Sequence, residues 1–173
     1  MTVIKTAADK KLVAAVIGNS LCNSEEALKA ETEGMEIASR GAVLVCGGLG
    51  GLMEAACRGA ESGGGITMGI LPGDDPSHTN PYVKIPLATV LGEARNAIIV
   101  KSADAIISIG GKFGTLIEIA FALKSNKTML GINIWQLSRK GKIIRSVLET
   151  EDAAEAVTKA IYLAKSRPQK ANK

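Results

Sequence analysis

Apolar runs that end directly in glycine-rich segments constrain the fold of this chain more than any other feature of its sequence. Residues 42–46 lead into residues 47–51, which we name the first glycine turn. Residues 105–109 lead into residues 110–114, the second glycine turn, and a third run, 12–17, is closed by a glycine. A segment with the length of a helix follows each of these turns. Repeated strand, turn and helix units predict right-handed βαβ crossovers and a mostly parallel sheet with helices on both faces.

The remaining elements continue this alternation and complete one α/β, three-layer Rossmann-like domain over residues 1–173. The predicted strands are residues 12–17, 42–46, 66–71, 105–109 and 128–134, with a short strand around 83–85 or nearer Thr89 and Val90. The predicted helices run from Ser24, taken as the N-cap, to Arg40, and over residues 52–61, 93–102, 115–124 and 152–165. Residues 135–142 are interpreted as an irregular basic segment, and residues 1–10 and 167–173 as flexible ends.

Composition excludes several classes of protein. No run approaches the roughly 20 apolar residues of a membrane span, and the first residues lack the apolar core of a signal peptide. Aromatic residues make up only 3% of the chain, which argues against a stacking platform for nucleic acid. Three cysteines without a CxxC pair and a single histidine favour free thiols over a metal site. We therefore expect a cytoplasmic protein with no metal, no membrane contact and no nucleic-acid partner.

The glycine turns predict a site for a phosphate-bearing ligand. Glycine lets bare backbone N–H groups approach a ligand, and the helix that follows adds unpaired donors and partial positive charge. The carboxyl ends of parallel strands meet at one edge of a sheet, so the turns are expected to lie together. The candidate ligand-binding residues are Gly18, Asn19, Ser20, Gly47, Gly48, Gly50, Gly51, Gly110, Gly111, Gly114 and Thr115. The alternative is that these glycines serve only tight strand-to-helix packing.

Neither glycine turn matches a standard nucleotide signature. A dinucleotide fingerprint that starts at Gly48 would need its third glycine where Met53 stands, and no P-loop spacing occurs. An NAD-dependent oxidoreductase is therefore disfavoured. The prediction depends on two glycine turns in similar contexts, together with the turn that begins at Gly18.

Two charged residues are candidates for chemistry at this site. Glu118 follows the second glycine turn, where a raised pKa would let it act on a ribose or a leaving group. It also fits a capping box with Thr115, and Glu54 has the same structural alternative. Arg95 precedes the helix that leads to the strand of the second glycine turn. It is either a phosphate clamp or an ordinary surface arginine.

These motifs, in this order, resemble the LOG-like superfamily, also called lysine decarboxylase-like. The resemblance covers nearly the whole chain and is strongest to the molybdenum cofactor carrier protein branch. In the LOG phosphoribohydrolases the glutamate of a P-G-G-x-G-T-x-x-E motif and an upstream arginine are taken as catalytic. By resemblance, the catalytic residues here would be Glu118 and Arg95. The family also implies a homo-oligomer, either a dimer or a tetramer.

The chain departs from the enzyme motif at several positions. Ile109 stands where the enzymes have proline, two residues rather than one separate the paired glycines from Gly114, and Asn96 replaces a lysine. These features resemble the carrier branch, although that branch tends to have glycine at the position of Lys112.

Two functions follow from this resemblance. The first is a binding protein for a phosphorylated ligand, such as molybdopterin, the molybdenum cofactor or a nucleotide monophosphate, with no cofactor required. The second is a nucleoside 5′-monophosphate phosphoribohydrolase that releases a base and ribose 5-phosphate. Lysine decarboxylation is rejected because no site for pyridoxal phosphate is visible.

Overall fold

The computed structural model describes residues 10–144 and 147–167. Seven strands form one parallel sheet in the order β4-β3-β2-β1-β5-β6-β9, and β7 pairs with β8 in a separate antiparallel ribbon. The strands are β1 (Val13–Gly18), β2 (Val43–Cys46), β3 (Ile66–Leu71), β4 (Ile85–Ala88), β5 (Ala105–Ile109), β6 (Thr128–Ile132), β7 (Ser138–Arg139), β8 (Lys142–Ile143) and β9 (Leu148–Glu149). The helices are α1 (Ser24–Ser39), α2 (Leu52–Ser62), α3 (Asn96–Ser102), α4 (Phe113–Lys124) and α5 (Ala153–Ser166).

Helices cover both faces of the sheet, so the predicted α/β, Rossmann-like fold is confirmed. One apolar core joins α1, α2 and α5 to the sheet, and the other joins α3 and α4 to the opposite face. Strand order reverses between β1 and β5, which are neighbours in the sheet. In open parallel sheets this reversal leaves a crevice at the carboxyl ends of the strands.

The packing of α1 against α2 depends on glycine. A Cβ at Gly59 would meet the carbonyl oxygen of Glu31, and one at Gly34 would lie 2.8 Å from the backbone nitrogen of Ala60. Glu33, beside this contact, is fully buried, and neither carboxylate oxygen has a hydrogen-bond partner among the described residues. Burial raises the pKa of Glu33 well above its ordinary value.

Several predicted boundaries need correction. The N-cap of α1 is Asn23 and not Ser24, because Asn23 and Glu26 form a reciprocal capping box with hydrogen bonds of 2.8 and 3.0 Å. The strand β6 ends at Ile132, where Asn133 turns the chain with a φ of 51°. The short strand β4, Ile85–Ala88, begins at the last residue of the first position predicted for it and ends before the second.

The segment predicted as irregular, residues 135–142, forms most of the ribbon of β7 and β8, which ends at Ile143. Its turn is formed by Lys140 and Gly141, with φ angles of 52° and 73°. Positive φ at both central residues is typical of the tight turn that joins two antiparallel strands. The flexible ends predicted for residues 1–10 and 167–173 lie, apart from Lys10 and Arg167, outside the described residues. None of the described helices is long and apolar enough to cross a membrane.

Candidate functional site

A cavity of about 210 Å³ lies at the carboxyl ends of the strands, where the strand order reverses. Eight of the residues predicted for the site line it: Gly18, Asn19, Ser20, Gly47, Arg95, Gly114, Thr115 and Glu118. The predicted residues outside the lining are Gly48, Gly50, Gly51, Gly110 and Gly111. The lining also includes Asn96 and Lys112, two polar side chains left out of the predicted set. Asn96 follows Arg95 and Lys112 follows Gly111 in the sequence, and this adjacency to predicted site residues is the signal that could have identified both.

The second glycine turn leaves its backbone donors free. Within the described parts of the chain, the N–H groups of residues 111–115 have no hydrogen-bond acceptor. Gly111 has a φ of 125°, which side chains rarely adopt, and a Cβ at Gly114 would meet nothing within 4 Å. Because Gly114 lines the cavity, its bare Cα leaves room for a ligand atom. Consecutive free N–H groups at the start of a helix make an anion site.

Capping separates the helices at this site from those elsewhere. Asn23 caps α1 and Asp152 caps α5, each accepting a hydrogen bond from a backbone N–H group in the first turn of its helix. The helices that start in the glycine turns, α2 and α4, have no side-chain cap. In α4 the uncapped first turn keeps its N–H donors available for water or for a ligand. In α2 the N–H of Leu52 donates instead to the Asn19 carbonyl at 3.3 Å.

The backbone of the first glycine turn is tied to the rest of the protein. The carbonyl oxygen of Gly48 accepts from the Asn80 backbone N–H at 2.8 Å and from the Thr79 hydroxyl at 3.0 Å. The Asn80 side chain donates to the Leu49 carbonyl at 2.9 Å. The N–H of Gly48 faces the Sγ atom of Cys46 at 3.3 Å, and that sulfur lies 3.6 Å from the Sγ of Cys57. This turn is therefore held rigidly in place.

Arg95 ends a short 3-10 helix (Gly92–Arg95) and points into the cavity. Only 8% of the residue is exposed, and its guanidinium lies directly over Gly47, where a Cβ would come within 2.6 Å of Nη2. Among the described residues, its Nε atom has no hydrogen-bond partner and no carboxylate lies within 4.0 Å of the guanidinium. A buried cation without a partner is costly, so this side chain is suited to an anionic ligand.

Glu118 lies on the cavity side of α4 and is 6% exposed. The helix begins at Phe113, two residues before the predicted start, with Lys112 at the N-cap, so Glu118 lies beyond the first turn and caps nothing. Glu54 likewise forms no capping box, because α2 has no side-chain cap. Burial raises the pKa of Glu118 to about 7, and the charge of Arg95 only partly offsets that effect. Both protonation states of this carboxyl are therefore accessible near neutral pH.

Metal ligation finds no support in the described ranges, where no three His, Cys, Asp or Glu side chains are grouped to hold an ion. What the arrangement can do is bind an anion on backbone N–H groups and on one buried guanidinium, beside a carboxyl that titrates near neutrality.

Proteins of known structure share this architecture. A molybdenum cofactor binding protein from Rippkaea orientalis superposes with a TM-score of 0.80 at 30% identity, over 91% of this chain and 99% of that one. A molybdenum cofactor carrier protein from Chlamydomonas reinhardtii gives the same TM-score of 0.80 at 28% identity, over 91% of this chain and all of the other.

Sequence comparison agrees with the structural comparison. An uncharacterized protein of Archaeoglobus fulgidus is 47% identical over 117 residues, which cover 68% of this chain and 77% of that one. The model of the SLOG cluster4 family matches residues 11–166. The chain therefore belongs to the SLOG cluster4 family, within the LOG-like superfamily.

Proposed function

We propose that this protein binds a small phosphorylated ligand of the molybdopterin or nucleotide type, without chemical change, as a carrier. The observation that carries the proposal is that Arg95 lines the same cavity as Lys112, Gly114 and Thr115. Among the described residues, Nε of Arg95 has no hydrogen-bond partner and the N–H groups of those three residues have no acceptor. These groups suit a phosphate, because N–H donors and a fork-shaped cation can share its oxygens. The names of the Rippkaea orientalis and Chlamydomonas reinhardtii proteins support a molybdenum cofactor as the cargo.

The size of the cavity limits what it can enclose. Its volume of about 210 Å³ is below the roughly 300–1,000 Å³ of pockets that enclose a drug-sized molecule. The phosphate and the atoms next to it therefore fit inside, while a fused ring system extends beyond the mouth. Gly114 supports this placement, since its missing Cβ leaves the phosphate end open. The residues that would hold the phosphate are Arg95, Lys112 and the backbone of the second glycine turn.

A second candidate, nucleoside monophosphate phosphoribohydrolysis, has one observation in its favour. Glu118 has a pKa of about 7 and lies in the same cavity as Arg95. An anionic Glu118 could stabilise positive charge on a ribose as the N-glycosidic bond breaks, with Arg95 held on the phosphate. Arg95 and Glu118 are the catalytic residues of this alternative.

One experiment separates the two functions. The protein is purified from cells that make molybdopterin, denatured, and its supernatant examined for a fluorescent oxidised pterin. In parallel, the protein is incubated with AMP and free adenine is assayed. The carrier proposal predicts pterin in the wild type, little in R95Q, and no adenine. Adenine release that is lost in E118Q would reject a pure carrier, and the absence of pterin would remove the cargo assignment.

The proposal includes a cytoplasmic homo-oligomer, either a dimer or a tetramer, with no nucleic-acid partner. Exposed apolar side chains near Arg95 support self-association: Val90 is 72% exposed, Leu91 50% and Ile98 38%. Light scattering during size-exclusion chromatography tests the assembly, and a monomer at micromolar concentration would reject it. An electrophoretic shift with single-stranded DNA at physiological salt would reject the absence of a nucleic-acid partner.

A further inference from the structure

Trp135 makes an unusual contact with the second glycine turn. It is the only tryptophan of the chain and lies just beyond β6. Its indole N–H donates to the carbonyl oxygen of Gly111 at 3.0 Å, and its ring lies 5.6 Å from the ring of Phe113. Phe113 is 73% exposed and Trp135 36%, so neither aromatic side chain is explained by burial in a core.

This contact determines which way one peptide group faces. In a trans peptide the carbonyl and the N–H point in opposite directions, so the N–H of Lys112 points away from the indole. Lys112 and Gly114 line the cavity, and Trp135 does not. The Gly111 carbonyl therefore faces the indole, and the Lys112 N–H faces the other side of the turn, away from Trp135.

The peptide needs this restraint because Gly111 is conformationally free. Its φ of 125° lies in a region that glycine enters at little cost, and glycine also populates negative φ readily. Within the described part of the chain, the indole is the only donor to the Gly111 carbonyl. Without it, rotation of this peptide would turn a carbonyl oxygen toward the anion and remove an N–H donor.

We infer that Trp135 is a positioning residue for the phosphate site: its hydrogen bond to Gly111 orients the Lys112 peptide so that the second glycine turn presents an unbroken row of donors. This inference rests on the proposed function, because it assumes that the turn receives a phosphate. Trp135 contacts no ligand itself. Phe113 contributes by packing against the indole ring.

The test is a titration of the full-length protein with inorganic phosphate, in which binding is monitored through the amide NMR signals of residues 111–115. W135F removes the donor and keeps an aromatic ring, while F113L removes the aromatic contact and keeps the donor. The loss of one hydrogen bond of about 1 kcal/mol predicts roughly fivefold weaker phosphate binding in W135F. F113L should weaken phosphate binding less than W135F, because it keeps the indole donor and loses only the packing against the ring, and the thermal midpoints should differ little.

The outcomes separate the inference from the proposed function. Wild-type affinity in W135F would overturn the role of Trp135 and leave the phosphate site standing. No saturable shift at residues 111–115 of the wild type would overturn the phosphate site and this inference with it.

A second measurement covers a W135F protein that fails to fold. The single indole N–H signal of the wild type should exchange with water more slowly when phosphate is added, because phosphate holds the turn in the conformation that the indole stabilises. Exchange that is insensitive to phosphate would overturn the inference.

Discussion

The two glycine turns follow equivalent strands and have similar sequences, yet their backbones are used differently. In the first glycine turn, the carbonyl groups of Gly48 and Leu49 are bonded to Thr79 and Asn80. In the second, the N–H groups of residues 111–115 have no acceptor in the described part of the chain, and the indole of Trp135 bonds only to the Gly111 carbonyl. The first turn is therefore a scaffold that supports Arg95, while the second presents donors. Under the proposed function, glycine serves folding in the first turn and binding in the second.

The largest predicted effect is on stability, in the first glycine turn. Gly51 has a φ of 65° and a ψ of −127°, and a Cβ there would meet the carbonyl of Ser20. Gly51→Ala should lower the free energy of unfolding by about 3 kcal/mol or more. Gly50→Ala is the matched control, because its Cβ would lie 3.8 Å from the closest atom, in Glu54. Urea denaturation that gives equal midpoints for both variants would contradict the scaffold assignment.

The next effect is on affinity and tests how the first turn serves the ligand. The Cβ of Gly47→Ala would displace the Arg95 guanidinium, a flexible group that can move while the fold survives. Both Gly47→Ala and Arg95→Gln should weaken binding of the phosphorylated ligand about 100-fold, or about 3 kcal/mol. If Gly47 acts through Arg95, the double variant should bind no worse than Arg95→Gln alone. Additive losses in calorimetric titrations would show that Gly47 has another role.

The third variant, Gly114→Ala, should lower affinity and not stability, in contrast to Gly51→Ala. Gly114→Ala places a methyl group in open space at the proposed anion site. Phosphate binding should weaken about tenfold, because the methyl group keeps the phosphate oxygens away from the N–H donors. Alanine is also the better helix former, so the unfolding free energy should rise by up to about 1 kcal/mol. Gly73→Ala is the control, since its Cβ also meets nothing within 4 Å. Unchanged phosphate affinity in Gly114→Ala would place the anion elsewhere.

The smallest effect concerns Glu118 and pH. With a pKa of about 7, Glu118 is mostly neutral at pH 6 and mostly anionic at pH 8, where it repels a phosphate. The affinity of the wild type for the phosphorylated ligand, divided by that of Glu118→Gln, should therefore fall about fivefold between pH 6 and 8. This is the size expected for two like charges in a partly hydrated site. The ratio of the two affinities cancels the titration of the ligand itself. A ratio that does not change with pH would mean that the carboxyl and the phosphate are far apart.

Stability gives an independent check on the same group. The folded-state pKa of Glu118 is raised above its unfolded value. The stability that the neutral carboxyl contributes is therefore fully present below about pH 4.5 and is lost as the pH rises through 7. Glu118→Gln should match the wild type in unfolding free energy at pH 4.5 and exceed it at pH 8. Identical pH profiles would contradict the raised pKa.

The sequence predicted the sheet well because its signals are local. The apolar runs 66–71 and 105–109 coincide with β3 and β5. The sequence left Glu118 open between a helix cap and a chemical role, and the capping alternative is wrong because α4 begins at Phe113, two residues before its predicted start. The sequence also did not predict that the two glycine turns use their backbones differently, because this difference depends on Asn80 and Trp135. Each is more than 20 residues from the turn it contacts.

The paired thiols beside the first glycine turn have a kinetic consequence. Cys46 and Cys57 are buried, with their sulfur atoms 3.6 Å apart, while Cys22 is partly accessible. A thiol reagent reaches Cys46 only during moments when α2 separates from β2. The labelling rate of the buried pair therefore reports how often the region around the first glycine turn opens, with Cys22 as an internal reference for reagent reactivity. The protein thus contains a built-in probe of local opening at the turn that supports its arginine.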